Sequence, residues 1–376
     1  MKIAFAIVTL FSAGGLQRDC MALAARLAER GHDVTIFAER QKGEIPAGLK
    51  VELLRNLALS NHRRDLKFAE AVVRRCAGQF DRLVGFGKLL DLDVIYCADP
   101  CLAVRRVGWL AGLGSRRRTQ LRLEASSFKQ GQKTTCLLLS ANQARDFRAA
   151  WSTEPRRIEV LPPTIDRARR HPEFRTDGTR ERLRDSLGIG EETLLWLAIA
   201  NQPNVKGLDR TLVAMKGIPQ ARLAIAGIQP NSKQAGQVRG WARGVGVADR
   251  VEMLGYRADI PELMAAADLL VHPARYDTTG TVIVESLING LPVITTAECG
   301  YAPHVTKADA GMVIPSPFDQ EALTAALGAA MSAGKRNRWS RNGIAYGAAE
   351  QLYDGLDRAA DLIENPRPAA ATSSSS

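Results

Sequence analysis

Two carboxylates stand eight residues apart in the stretch HPARYDTTGTVIVESLINGLP, residues 272–292. Asp277 follows the apolar run Asp268-Leu269-Leu270-Val271, and Glu285 lies about two turns into a helical pattern that starts near Gly280. Between them come Thr278, Thr279, Gly280 and Thr281. Small or hydroxylated residues at a helix start leave backbone N–H groups and the positive end of the dipole open to an anion. The arrangement suits a ligand with phosphate at its centre and hydroxyls at both ends. A nucleotide sugar has that form: the diphosphate would meet the N–H groups, one carboxylate the sugar hydroxyls and the other the ribose. The plainer alternative is a strand, a loop and a buried amphipathic helix carrying two incidental acids.

A second candidate follows the first apolar run, where Gly14-Gly15-Leu16-Gln17-Arg18-Asp19 opens a helical pattern. It lacks the spacing of a dinucleotide fingerprint, and only Glu39 is placed near the end of the second strand, which disfavours a nicotinamide cofactor. Paired glycines let a backbone approach a ligand closely, with Asp19 one turn into the helix; a tight turn explains them equally well. The five histidines, His32, His62, His171, His272 and His304, show no metal-ligand spacing. His272, before Pro273, reads as a structural strand-end residue, while His304 is an even choice between structure and function. The six cysteines are scattered, fit neither a zinc site nor a disulfide framework, and read as buried thiols of a reducing compartment.

These residues need a scaffold. A chain of 376 residues with 45% hydrophobic content exceeds what one core normally sustains, so two domains are expected. Strand-like runs at Ile3–Phe11, Val34–Phe37, Arg82–Phe86, Leu92–Cys97 and Thr135–Leu139 alternate with helical patterns such as Leu66–Cys76. Lys2 ahead of an apolar run could open a signal peptide, but the run is short and leads through Gly14-Gly15 into a helix, as a first strand does. After Leu161-Pro162-Pro163-Thr164, the polar stretch 166–179 reads as a hinge. A second series follows at Leu194–Ala200, Leu223–Ala226, Val251–Leu254, Asp268–Val271 and Leu291–Thr295. The expectation is an α/β chain with a Rossmann-like domain over 1–165, another over 166–363 whose last helix crosses back to the first, and a disordered low-complexity tail over 364–376. No apolar run reaches the ~18 residues needed to span a bilayer.

The spacing of Asp277 and Glu285 resembles the E-x7-E element of retaining glycosyltransferases of family 4, with aspartate in the first position. The likeness becomes specific across the chain: GGLQRD, SNHRR at 60–64, RLVGFGK and LDVIYCAD within 82–99, LPPTID at 161–166, KGLDR at 206–210, ELMAAADLLVHPA at 262–274 and CGYAPH at 299–304. Together these resemble the WaaG-type lipopolysaccharide core glucosyltransferase I family. The resemblance implies a GT-B fold, two Rossmann-like domains facing each other across a cleft. It also implies that Lys206 and Arg257, with Arg169 as a weaker candidate, bind the donor diphosphate. Asp277 would then contact the transferred sugar and Glu285 the ribose, with Asp19 and Asp99 facing the reacting centre. One departure stands out: Asn201-Gln202-Pro203-Asn204-Val205 replaces the glycine-rich turn with a further basic residue usual in relatives, so donor preference could differ from glucose.

The net charge of +11 is concentrated. Residues 103–133 hold eight basic side chains, Arg105, Arg106, Arg116, Arg117, Arg118, Arg122, Lys129 and Lys133, against the single acid Glu124. Trp109, Leu110, Leu113, Leu121, Leu123 and Phe128 are interleaved with them. The residues alone leave open an anionic lipid surface, a nucleic acid and an ordinary solvated face, with nucleic acid disfavoured because the apolar residues are mostly aliphatic. The family resemblance favours the membrane. The resulting expectation is a metal-independent, retaining hexosyltransferase, cytoplasmic and peripherally attached to the inner membrane, moving glucose from UDP-glucose to a heptose of the lipopolysaccharide inner core. A transferase for another glycolipid or exopolysaccharide precursor, or a non-catalytic nucleotide-sugar-binding protein, are the alternatives.

Overall fold

A computed structural model describes residues 1–11, 14–43, 45–105 and 114–366. It divides the chain into two compact units, 1–164 with 354–376, and 165–353. Both are α/β, as expected.

The sheet of the first unit has the order β3-β2-β1-β4-β5-β6-β7, with every pairing parallel. Its strands are β1 (Lys2–Phe11), β2 (Asp33–Lys42), β3 (Lys50–Leu53), β4 (Arg82–Phe86), β5 (Val94–Cys97), β6 (Thr135–Leu138) and β7 (Ile158–Val160). The run Ile3 to Ala6 is wholly buried because both faces of a parallel sheet are covered by helices. One face holds Phe5, Ile7, Leu23, Leu27 and Tyr96, the other Phe37, Phe68, Phe128 and Phe147. The helix Gly15–Glu29 buries Cys20, Leu23, Ala24 and Leu27, a stripe at helical spacing.

The second unit repeats the scheme in the order β10-β9-β8-β11-β12-β13, again all parallel. Here the strands are β8 (Leu194–Ile199), β9 (Ala221–Ala226), β10 (Val251–Gly255), β11 (Leu269–His272), β12 (Val293–Thr296) and β13 (Gly311–Ile314). In both sheets the strand order reverses beside the first strand, between β1 and β4 and between β8 and β11. Crevices at the carboxyl ends of strands flanking such a reversal are where α/β sheets bind ligands.

Three expectations need correction. The stretch 166–179 is not a loose hinge. It forms short 3-10 turns at Arg167–Arg169 and Pro172–Arg175, bound to the second unit. Arg175 donates to the carbonyls of Met264 and Ala267, and Asn289 accepts from the His171 N–H while donating to the Arg169 carbonyl. Glu364, assigned to the tail, ends the helix Gly355–Glu364 and pairs with Arg30 and His32 at 2.8 and 2.7 Å. That helix buries Ala359, Ala360, Leu362 and Ile363 in the core of the first unit, beside the helix Gly15–Glu29. Finally, Leu123 and Phe128 point into the core from the helix Ser115–Phe128, not outward among the arginines. Among the described residues, no helix is long and apolar enough to cross a membrane.

Candidate functional site

In the second unit the site is built on the loops that leave β8 and β11. Gly207, with φ at +71°, starts the helix Leu208–Met215, and a Cβ there would lie 2.1 Å from the Pro273 carbonyl oxygen. Only glycine allows these two loops to touch. Arg275 completes the union: its N–H donates to the Val205 carbonyl and its guanidinium to the Asn204 carbonyl and to Asp209. The turn at 201–205 therefore holds together without a donor from Pro203, the Leu208 N–H bonding to the Pro203 carbonyl instead.

The effect of this packing is to bring Lys206 to Asp277, Nζ to Oδ2 at 2.5 Å. A second cation reaches the same oxygen: His272, the last residue of β11 and 2% exposed, places Nε2 at 2.9 Å. Burial works against a charged imidazole, yet the hydrogen bonds to Asp277 and Cys299 raise its pKa to about 9. Asp277 is held well below the usual carboxylate range, since the hydrogen bond from His272 and the charge of Lys206 outweigh its burial. Two basic side chains thus converge on one carboxylate oxygen. The Asp277 backbone is bound on both sides, its N–H to the Glu298 carbonyl and its carbonyl to the Gly300 N–H.

Beside this cluster Gly280, φ +74°, starts the helix Thr281–Ile288, whose first turn has no side-chain cap. A Cβ at Gly280 would lie 3.5 Å from Asp277 Oδ2 and 2.9 Å from Ile283, so the helix end and the carboxylate share one confined space. Thr278 bonds Tyr276 and Thr279 bonds Thr281 through their hydroxyls, both at 3.3 Å. Glu285 pairs with Arg169 at 2.7 Å, joining two candidates far apart in sequence. Asn289, 1% exposed, supports the pair by bonding the carbonyls of both Glu285 and Arg169. Arg257 stands apart from these: its guanidinium grips Asp259 on its own loop. His304 is pressed to a neutral form with a pKa near 4 by burial and the charge of Lys307, and its Nδ1 meets the Tyr346 hydroxyl at 2.6 Å.

In the first unit, the carboxyl ends of β1 and β4 line a cavity of about 360 Å³ reached by Thr9, Gln17, Asp65, Lys88, Asp99 and Gln120. Asp99 is exposed within its loop, and its carbonyl accepts from the Gln143 side chain at 2.8 Å. Lys88, its side chain 8% exposed, bonds the Pro100 carbonyl and the fully buried Glu124, each at 2.6 Å. Glu124 also accepts from the Leu102 and Ala103 N–H groups and the Trp151 indole. Burial pushes the Glu124 carboxyl up, but Lys88 and these donors bring it net below its ordinary value. The single acid of the basic segment is therefore the anchor of the loop that carries Asp99. Asp19 accepts from the Tyr96 hydroxyl at 2.8 Å, and burial, only partly offset by that bond, raises its pKa. Gly14 does not open space for a ligand: a Cβ there would strike the Gln17 side chain at 1.9 Å, whereas Gly15 has no atom within 4 Å.

Of the basic candidates, Arg116, Arg118 and Arg122 are exposed on the helix Ser115–Phe128. Arg117 is turned inward to the carbonyls of Leu102 and Arg105. Arg106 and Trp109, with Leu110 and Leu113, lie outside the described residues. The described residues contain no group of three or more His, Cys, Asp or Glu able to hold a metal ion. Tyr96, Lys88, Glu124 and the functional side of His272 were not identified from sequence, although Lys88 stands in RLVGFGK and Glu124 is conspicuous as the lone acid.

Comparison with known proteins places the chain in a family. Residues 179–346 match the family described as glycosyl transferases group 1, and residues 13–169 match glycosyltransferase family 4. The chain is 35% identical over 374 residues to the lipopolysaccharide glucosyltransferase WaaG of Escherichia coli K12, covering 96% of this chain and 98% of that one. A crystal structure of WaaG superposes with a TM-score of 0.86 at 34% identity, over 96% of this chain and all of that one. Anabaena HepE, solved with UDP and glucose, shares the fold at a TM-score of 0.72 and 18% identity, over 97% of this chain and 99% of that one.

Proposed function

We propose that this chain, which belongs to glycosyltransferase family 4 and is a hexosyltransferase, transfers glucose from UDP-glucose to a heptose of the lipopolysaccharide inner core. It would do so with retention of configuration, at the cytoplasmic face of the inner membrane and without a resident metal. The observation that carries the reading is the convergence of Lys206 and His272 on Asp277 beside an uncapped helix start.

The chemistry follows from charge. Cleaving the bond between the anomeric carbon and the diphosphate builds negative charge on the leaving phosphate and positive charge on the sugar. Lys206 and the N–H groups at the start of the helix Thr281–Ile288 meet the first, preorganised and partly desolvated. Arg257 joins them if it exchanges Asp259 for the phosphate. Asp277 accepts hydrogen bonds from sugar hydroxyls through Oδ1 while its Oδ2 stays with the two cations. Glu285, with Arg169 as its neighbour, takes the ribose hydroxyls. Asp19 and Asp99 serve the acceptor hydroxyl, and the leaving phosphate assists its deprotonation on the same face.

The test is nucleotide release from a panel of UDP-, GDP- and ADP-sugars in EDTA, with and without heptose-bearing core lipid. Acceptor-dependent UDP release from UDP-glucose alone is expected, abolished in Asp277→Asn. Release from another sugar would overturn the donor assignment. Tight nucleotide binding with no turnover would overturn catalysis.

A further inference from the structure

Among the described residues, the large apolar side chains most open to solvent are Leu57 and Leu59, 97% and 100% exposed. They lie between β3 and the helix Asn61–Cys76, and a well-made turn holds them out. The Ala58 N–H donates to the Asn56 side chain at 3.2 Å, the Asn56 amide donates to the Arg64 carbonyl at 3.2 Å, and the Arg64 guanidinium reaches the Ala58 carbonyl at 3.3 Å. Ala58 is buried, 8% exposed, so the chain runs out, in and out again. Two leucines kept in water by a braced turn, not by a loose one, signal a contact that the isolated chain leaves unmade.

What surrounds them identifies the partner. Residues 54–67 contain Arg55, Arg63, Arg64 and Lys67 against the single acid Asp65. Of these cations Arg55, Arg63 and Lys67 are exposed. His62, one turn on, meets the Ser115 hydroxyl at 3.4 Å, which joins the turn to the start of the helix Ser115–Phe128. There Arg116 and Arg118 are exposed, while the helix turns Leu123 and Phe128 into the core. The arginine-rich helix therefore offers charge with little apolar surface, and the neighbouring turn offers apolar surface within the same basic field. An anionic bilayer needs both: cations for head groups and aliphatic side chains for the acyl region.

We propose that Leu57 and Leu59 form a wedge that enters the acyl region of an anionic bilayer, with Arg55, Arg63, Arg116 and Arg118 on the head groups. This deepens the peripheral-membrane part of the function proposed above and rests on it. The wedge lies about 45 residues before the basic segment that the sequence singles out. It explains how a helix that turns Leu123 and Phe128 inward is attached by more than charge.

All six native cysteines are buried, so a Leu59→Cys variant can be labelled selectively with an environment-sensitive fluorophore, and Glu252→Cys on the exposed edge strand β10 serves as the control. On phosphatidylglycerol-containing vesicles the label at 59 is expected to brighten, shift to the blue and be quenched by acyl-chain nitroxides, while that at 252 stays aqueous. Binding of a Leu57→Ser/Leu59→Ser variant to the same vesicles is expected to fall by about 10²-fold, consistent with withdrawing two leucines from the acyl region. Its melting temperature should be unchanged, since neither side chain packs in the fold. Wild-type binding with a label at 59 that remains aqueous, and a serine variant that binds equally well, would overturn the wedge and leave the membrane reading standing. No binding of the wild type to anionic vesicles would overturn both.

Discussion

Replacing His272 by glutamine removes one of the two cations from Asp277 and tests whether the group is held by charge. The imidazole is 2% exposed, and its pKa stands at about 9 instead of near 6.5. At 1.36 kcal/mol per pKa unit this amounts to about 3 kcal/mol of preference for the charged form in the folded protein. Because the folded value is raised, that contribution is complete below pH 6.5 and is lost as pH rises through about 9. His272→Gln has nothing to lose over that interval. The variant should therefore be less stable by about 3 kcal/mol at pH 6, and the gap should close as pH approaches 10. Urea unfolding of both proteins at pH 6, 7.5, 9 and 10, followed through the tryptophans, gives the difference; titrating groups remote from His272 cancel, while Cys299, whose thiol His272 holds below its ordinary value, adds its own change at the alkaline end. A gap independent of pH would refute the argument, because a purely steric role for the imidazole has no proton to lose.

Three further outcomes follow from the same reasoning. Lys206→Ala should lower kcat/KM for nucleotide release by about 10² to 10³-fold, the usual cost of removing one preorganised charge partner, as read by the rate of UDP formation. Tyr96→Phe removes a donor that favours ionised Asp19, so the acid limb of the pH–rate profile should move to higher pH; an unmoved limb would take Asp19 ionisation out of the rate. Glu124→Gln leaves Lys88 buried without its counter-charge and should cost about 3 kcal/mol or more at neutral pH. Since the Glu124 carboxyl is held below its ordinary value, thermal melts should show that loss shrinking as pH falls below the carboxylate range.

The long buried strands were legible because a strand covered on both faces reads as an unbroken apolar run, as in Leu194–Ile199. The strands missed, Lys50–Leu53, Ile158–Val160 and Gly311–Ile314, are short and lie at sheet edges or beside them, where half-buried residues blur the pattern. The polar stretch 166–179 was misread for another reason. Arg175, and Arg180 just beyond the stretch, donate to the carbonyls of residues 264–267, and sequence does not distinguish an arginine that satisfies backbone from one in water. In the site, spacing gave Asp277 and Glu285, but not their partners. Lys206 and Arg169 reach them across 71 and 116 residues of chain, distances set by tertiary packing alone. The likeness to known transferases pointed to both cations without showing that each meets a carboxylate.

The helix Gly355–Glu364 has a consequence for synthesis. Its residues belong to the unit that opens the chain, and the whole of 165–353 is inserted before it. On a ribosome the second unit can therefore close as soon as it has emerged, while the first waits with an open apolar seam at Leu23 and Leu27 for Ala359, Leu362 and Ile363. The half that is made first is finished last, and through most of translation it is the half with greater need of a chaperone.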